Sequence, residues 1–389
     1  MVMENPAAER GAAWRLSLAV SCVGFGQSAL LALIPVASER TGLGGTAMGG
    51  LAFLGALAFL VAAPLWGGLA GGRPLRRLYA LLGGLMLLGH GLFAAALWSE
   101  GAAALALLGL SRLAYAAGAA GVMPLAQGAL MGRTPEAARP AALGRVGAGL
   151  SLGRILGALA MLAGAAALAA PLLLLLASPL LLMAAPNWAA PGCGAPQPRP
   201  ARGARPLLAV AFGVAFALGQ IQIALGLLAQ QRFGLSAGEA AALAGWTLAL
   251  VALAAIATQG LVLPRLAPGL ARNLRRGLAI LTLGAAVMAL SPGPALLMLG
   301  GVLAGIGTAL ATPHIAAWLA ARTAPQAQGR AAGWLAGTQV IGQGAGGLAG
   351  GAAVALAPAA PFWACAAVTG AVLALSFRLT EDEAGPDSA

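Results

Sequence analysis

Arg112 and Arg154 lie deep inside long apolar stretches of this 389-residue chain, at roughly 102–130 and 141–165. A charge held in hydrocarbon costs at least ~2.5–3.5 kcal/mol, so such residues face a partner or a polar space. A guanidinium presents a planar fork of donors that suits a carboxylate or a phosphate. Two chemistries fit. One or both arginines meet an anionic group of a bound molecule, or they bond backbone carbonyls and Gln side chains and hold helices together. An internal acid would settle the matter, and the sequence offers none. Glu39, Glu100 and Glu239 sit near the ends of apolar stretches, and the other acids fall in loops or tails.

Gln27, Gln220, Gln222, Gln339 and Gln343 form a second polar set near the middle of apolar stretches. Gln donates and accepts, which suits a polar ligand or a water-filled space. Gln339 and Gln343 are four apart and share one helix face. For any single Gln, an interhelical hydrogen bond is the simpler reading. His314 follows Pro313 and is the candidate carrier of a coupling proton, because imidazole titrates near neutral pH. The other histidine, His90, is a weaker candidate for the same role. Cys22, Cys193 and Cys365 are too far apart for a metal or redox motif. No metal site, cofactor, nucleotide loop or hydrolase triad is expected.

These groups need a scaffold, and composition names its solvent. Hydrophobic residues make up 60% and charged residues 8%, against about 25% charged in soluble domains. Lipid bilayer must surround most of the chain. The net charge of +12 is not a nucleic-acid stripe, because the arginines cluster in short segments between apolar runs. Spans are expected near 14–37, 45–69, 78–98, 102–130, 141–165 and 168–186, then near 207–231, 238–263, 277–291, 295–320, 331–356 and 358–378. The first run is too long for a cleaved signal. The expected domains are a six-helix bundle at 1–186, a Pro- and Arg-rich linker at 187–206, a second bundle at 207–378 and an acidic tail at 379–389. Arg40 and Arg232 aside, the inter-span arginines fall on the side of the two termini and the linker. The positive-inside rule makes that side cytoplasmic. Compact loops and the lack of targeting signals point to a bacterial cytoplasmic membrane.

The halves repeat. Gly118, Pro124 and Arg133-Thr134 recur as Gly307, Pro313 and Arg322-Thr323 at a constant shift of 189 residues, which also carries Gly153-Arg154 and Gly157 onto Gly342-Gln343 and Gly346. Gly26-Gln27 resembles Gly219-Gln220 at a slightly different shift. An even number of spans per half makes the halves parallel repeats, an arrangement used for alternating access.

The segment from Pro64 to Arg77, with Gly67, Arg73, Arg76 and Arg77, resembles the signature loop of the major facilitator superfamily. Gly71 stands where that signature carries Asp. Arg112, Tyr115 and Gly118 resemble the fourth-helix motif of its drug:proton antiporter branch, with Ala116 at the usual nearer glycine. Gly147 to Ala158 resembles the glycine-rich fifth-helix motif, with Ala158 in place of Pro and Arg154 in place of an apolar residue. The resemblance implies an all-α membrane protein of twelve transmembrane helices in two pseudo-symmetric six-helix bundles. It also implies a gating loop at Gly67, Arg73, Arg76 and Arg77, and a cavity role for Arg112 and Tyr115. The expected function is secondary transport of a small molecule, as an exporter of anionic, neutral or amphiphilic compounds, with protons as a candidate coupling ion and the monomer as the working unit. Expelling one negative charge from a negative interior gains ~2.3 kcal/mol per 100 mV, which favours anion export. The alternatives are an uptake permease for an organic anion and, from another class, a membrane-embedded receptor or enzyme.

Overall fold

Backbone amides in hydrocarbon have no water to bond, so apolar runs of this length must close their hydrogen bonds internally as helices. The computed structural model, which describes residues 6–134, 139–162, 168–190, 204–323 and 328–379, is helical throughout apart from loops and one isolated bridge between Pro74 and Ala189. Each expected span has its helix. Span one is α1 (Pro6–Ala32) and α2 (Ile34–Thr41), broken at Leu33 where Pro35 removes a backbone donor. Then come α3 (Gly45–Ala70), α4 (Leu75–Ala96), α5 (Gly101–Met131) and α6 (Arg139–Ala160). The sixth span is α7 (Ala169–Ala177), tightening into a 3-10 stretch, Ser178–Ala184, at Pro179.

The second half runs α8 (Arg205–Phe233), α9 (Ala237–Ala257), α10 (Leu270–Leu290), α11 (Pro294–Ala321), α12 (Gln328–Val354) and α13 (Ala360–Ser376). α8 ends on Gly234, whose positive φ of 66° suits glycine and lets its amide reach the Gln230 carbonyl. Two residues later Ser236 and Glu239 form a reciprocal capping box that starts α9. Eight of the helices are long and apolar enough to cross a membrane by length and composition.

The ninth span begins earlier than its hydropathy suggests. It was expected at 277–291 and is found at Leu270–Leu290. Arg272, Arg275 and Arg276 belong to its first turns, and each finds an oxygen acceptor. Arg275 donates to the Ser376 and Leu379 carbonyls at 3.0 and 3.3 Å and lies over the Phe377 ring. The linker expected at 187–206 is described only at its two ends, as is the tail expected at 379–389 only at Leu379. Residues 191–203 and 380–389 lie outside the described residues.

The chain divides into two compact units, Met1–Leu43 with Leu57–Pro196, and Gly44–Ala56 with Gln197–Ala389. Lipid tails are as apolar as Leu, so close van der Waals packing rather than burial from water must hold the helices. Glycine supplies it. In unit 1 a Cβ on Gly149, Gly153 or Gly157 of α6 would run into the Ser17, Ser21 or Phe25 carbonyl of α1. In unit 2 Gly342 and Gly346 of α12 meet the Phe212 and Phe216 carbonyls of α8 in the same way. The third and fourth spans of each half also repeat. Gly118 of α5 faces Leu82 and Met86 of α4, and Gly307 of α11 faces Gly277 and Leu281 of α10.

These contacts fix the alignment of the halves at their first spans. Ser21 and Phe25 correspond to Phe212 and Phe216, a shift of 191 residues. That shift sets Gln27 opposite Leu218, so the likeness of Gly26-Gln27 to Gly219-Gln220 is not a structural equivalence.

Candidate functional site

In unit 1 the glycine seam between α1 and α6 brings Arg154 beside Gln27. Its Nε and Nη2 donate to Gln27 Oε1 at 3.4 and 3.3 Å. Both distances are long for such bonds, and the partner is neutral. Arg154 is exposed. Arg112, half-buried on α5, has no hydrogen bond to any described residue. Among the described residues neither guanidinium has a carboxylate partner. Both charges reach the Tyr115 hydroxyl electrostatically. That hydroxyl donates to the Val23 carbonyl of α1 at 3.2 Å. Gln27, Arg112, Tyr115 and Arg154 therefore gather in one place, with two positive charges and no negative one.

The spacing of the sequence does not foretell His90 in this group. α4 crosses α5 closely at Gly89, where a Cβ would stand 2.7 Å from the Tyr115 amide nitrogen. Ser111 Oγ donates to the Gly89 carbonyl at 2.7 Å and pins the crossing. The crossing stacks the His90 ring on Tyr115, with centroids 5.2 Å apart and planes 29° apart. Gly26 admits both rings against α1, because a Cβ there would lie 3.0 Å from Tyr115 Oη and 3.2 Å from His90 Nε2. His90 is fully buried, and neither ring nitrogen has a hydrogen-bond partner.

An unpartnered buried polar group costs about 1–3 kcal/mol. The His90→Leu protein is accordingly expected to melt a few degrees above wild type, measured by thermal unfolding in detergent. A lower melting temperature would mean that the ring holds an internal water which Leu evicts.

Unit 2 has amides where unit 1 has cations. Gln343 Nε2 donates to Gln222 Oε1 at 2.6 Å. Gln343 occupies the repeat position of Arg154. Gln339 lies one turn before it on α12 and is half-buried. Gln220 is 1% exposed, and its Nε2 has no partner. Its backbone is the surface against which Gly350 of α12 packs, at 2.7 Å from Gln220 Cα. Gln222 and Gln343 are thus joined, and Gln220 is held apart in the helix interface. His314 sits on α11, where Nδ1 donates to the Leu310 carbonyl of its own helix at 2.6 Å. The acceptor is a carbonyl, so that nitrogen carries the proton and Nε2 is left for any other partner.

Of the expected gating loop, Gly67 lies within α3, and the chain turns only at Gly71–Pro74. Gly72 takes a φ of 72° there. Arg73, Arg76 and Arg77 are exposed, and Arg73 Nη1 donates to the Leu69 carbonyl at 2.8 Å. Among the described residues no group of three His, Cys, Asp or Glu could hold a metal ion.

The family model described as Major Facilitator Superfamily matches residues 16–294. No curated protein matches the chain. Solved structures do. One is the human organic anion transporter MFSD10 (TETRAN), at 21% identity and a TM-score of 0.66, covering 96% of this chain and 100% of that one. Another is a bacterial homolog of the human lysosomal transporter Spinster, inward-facing and occupied, at 15% identity and a TM-score of 0.72, covering 97% and 98%. A third is the nucleoside transporter NupG, at 15% identity and a TM-score of 0.69, covering 94% and 98%. Identities this low establish the fold.

Proposed function

The chain belongs to the Major Facilitator Superfamily, and from that premise we propose that it is a secondary transporter that exports a small organic anion by alternating access. The observation that carries this reading is the pair of guanidinia in unit 1. Among the described residues Arg112 has no hydrogen-bond partner, Arg154 has only the neutral Gln27, and no carboxylate is at hand to neutralise either. A site that keeps two positive charges within the span of a membrane needs a negative guest. The guanidinium fork selects carboxylate, sulfonate or phosphate. The amide pair Gln222–Gln343 of unit 2 offers hydrogen bonds without charge, which suits a neutral polar group. The human fold neighbour described as an organic anion transporter supports this cargo class by analogy only.

The distribution of arginine supports a cytoplasmic-membrane protein with both termini inside. An interior-negative potential then favours outward movement of the anion by ~2.3 kcal/mol per charge per 100 mV. The sequence places no acid within a span to couple this movement to protons, so the potential is sufficient as the driving force. A monomer suffices for the cycle.

Uptake into inside-out vesicles tests the reading, because lumenal accumulation there is export. The compounds are p-aminohippurate as anion, a nucleoside as neutral solute and ethidium as cation. Each is measured under an imposed lumen-positive potential, an imposed acid lumen, and neither. Accumulation of p-aminohippurate under potential alone is the expected result. Accumulation of ethidium driven by the acid lumen would instead make the protein a drug:proton antiporter. His314, whose Nε2 is not used by its backbone bond, would then be the proton carrier to examine.

A further inference from the structure

Where α3 turns into α4, the chain has little of its own to hold it in place. Gly71 and Gly72 carry no side chains, and no atom lies within 4 Å of where a Cβ would be on either. Arg73 reaches back only to Leu69 of the preceding helix. The corresponding turn of unit 2 fastens itself. There Asn273 Nδ2 donates to the Ala267 carbonyl at 3.0 Å, the Asn273 amide donates to the Gly269 carbonyl at 3.1 Å, and Arg272 donates to the Pro268 carbonyl. Unit 1 has Leu75, Arg76 and Arg77 at the start of α4 and no such Asn.

A different segment does the fastening in unit 1. The chain leaving the sixth span comes back alongside the turn in extended form. The Leu75 amide donates to the Trp188 carbonyl at 2.6 Å, the Ala190 amide to the Arg73 carbonyl at 2.9 Å, and the Gly72 amide to the Ala190 carbonyl at 2.9 Å. Pro74 and Ala189 face each other across this short antiparallel ladder. The Trp188 ring lies under the Arg133 guanidinium, 5.2 Å from centroid to Cζ, at the end of α5. That distance is within cation–π range. A few residues earlier Arg15 of α1 donates Nε–H to the Ala184 carbonyl at 3.0 Å. The ends of α3 and α5 and the start of α4 are thus bound to one four-residue stretch, and α1 to the residues just before it.

We propose that Asn187–Ala190 is a strap that positions the turn Gly71–Pro74 and Arg133, and that Trp188 is a positioning residue for the transport cycle. Composition alone would make this stretch the start of a free linker. The ladder instead makes it part of unit 1, so that the turn, Arg133 and the strap move as one body. Loosening the strap leaves a glycine turn with nothing to set its shape, and it slows the conformational step rather than cargo binding. The strap does not depend on which cargo is carried.

The test compares Trp188→Ala, Trp188→Phe and Ala190→Pro in the full chain. Trp188→Ala removes the ring from Arg133. Ala190→Pro removes the donor of one rung and leaves every side chain of the strap's contacts in place. Hydrogen exchange reports the turn without any cargo. The peptide covering residues 70–76 is expected to exchange roughly tenfold faster in Trp188→Ala and Ala190→Pro than in wild type. In proteoliposomes the turnover number for p-aminohippurate is expected to fall about fivefold in both variants, with KM changed less than about twofold, because a gating step rather than binding is affected. Trp188→Phe keeps a π face and is expected to restore both readouts. Unchanged exchange in both variants would overturn the proposal. So would faster exchange with unaltered turnover, which would make the segment only a tether. If no compound is transported by the wild type, the anion reading fails, and the exchange measurement still decides whether the strap holds the turn.

Discussion

Replacing Arg112 with Gln is expected to lower transport of p-aminohippurate by at least ~30-fold at sub-saturating concentration, while transport of any neutral compound the protein accepts changes little. Truncating one partner of a desolvated charge pair costs about 2–5 kcal/mol, and each 1.4 kcal/mol is a factor of ten. Gln keeps two donors and loses the charge, so the loss reports the electrostatic share and not the mere absence of a hydrogen bond. Arg112 is the more sensitive position because it has no hydrogen bond to another described residue. Arg154 already spends part of its fork on Gln27, so Arg154→Gln is expected to cost about tenfold, within the range of one charge-assisted bond. Arg112→Lys recovers only part of the loss, since an ammonium cannot grip a carboxylate with two parallel bonds. If both arginines hold the same anionic group, the double variant loses less than the product of the single losses. The measurement is initial uptake in proteoliposomes, normalised to the amount of monodisperse protein. A folded Arg112→Gln protein that carries the anion at the wild-type rate would falsify the cargo assignment.

The pair was visible in the sequence for a simple reason. A charge in the middle of an apolar run is so costly that its presence is itself a signal, and Arg112 and Arg154 are the cases well inside spans. The same cost made the helices legible, since a chain in lipid has few alternatives to a helix. Where hydropathy erred, charge was the cause. Arg272, Arg275 and Arg276 sit in the first turns of α10, and hydropathy discounted them, but each reaches an oxygen acceptor and the helix simply starts earlier.

Contacts set by crossing geometry were not legible. His90 and Tyr115 are on different helices, and they stack only because Gly89 lets α4 approach α5. No spacing rule links them. The pairing of Gln343 with Gln222 rather than with Gln220 follows from the register of α8 on α12, which glycine contacts decide and side-chain patterning does not. The strap was hidden by its composition. Pro and Arg at high density argue for an extended linker, and an extended segment it is, but extension gives no register, and the partner strand is a turn more than a hundred residues earlier.

The glycine seams carry the heaviest structural consequence, and a single methyl group is enough to show it. Gly153→Ala is expected to yield little or no monodisperse protein, whereas Gly147→Ala on the same helix is expected to melt at or above the wild-type temperature. At Gly153 the new Cβ falls on the Ser21 carbonyl and 3.0 Å from the Phe25 amide nitrogen. Those atoms are helix backbone and cannot swing aside as a side-chain tip would. α1 and α6 must therefore move apart, and they lose the close approach that replaces the hydrophobic effect in lipid. The bond from Ser17 Oγ to the Arg145 carbonyl and the one from Arg154 to Gln27 depend on the same approach. Overpacking of a fitted core costs about 1–3 kcal/mol even where neighbours relax; here the neighbour is rigid, and the cost lies at or beyond the upper end. Gly147 has no atom within 4 Å of its Cβ position, so Ala there meets nothing and gains up to ~1 kcal/mol of helix propensity. Unit 2 repeats the comparison. Gly346→Ala, whose Cβ meets the Phe216 carbonyl, is expected to fail, and Gly333→Ala, with open space, to be tolerated. Size-exclusion yield and thermal melting of the four proteins read the result. Equal stability of Gly153→Ala and Gly147→Ala would mean that the seam has slack, and the position of Arg154 beside Gln27 would then have to be set by something other than glycine packing.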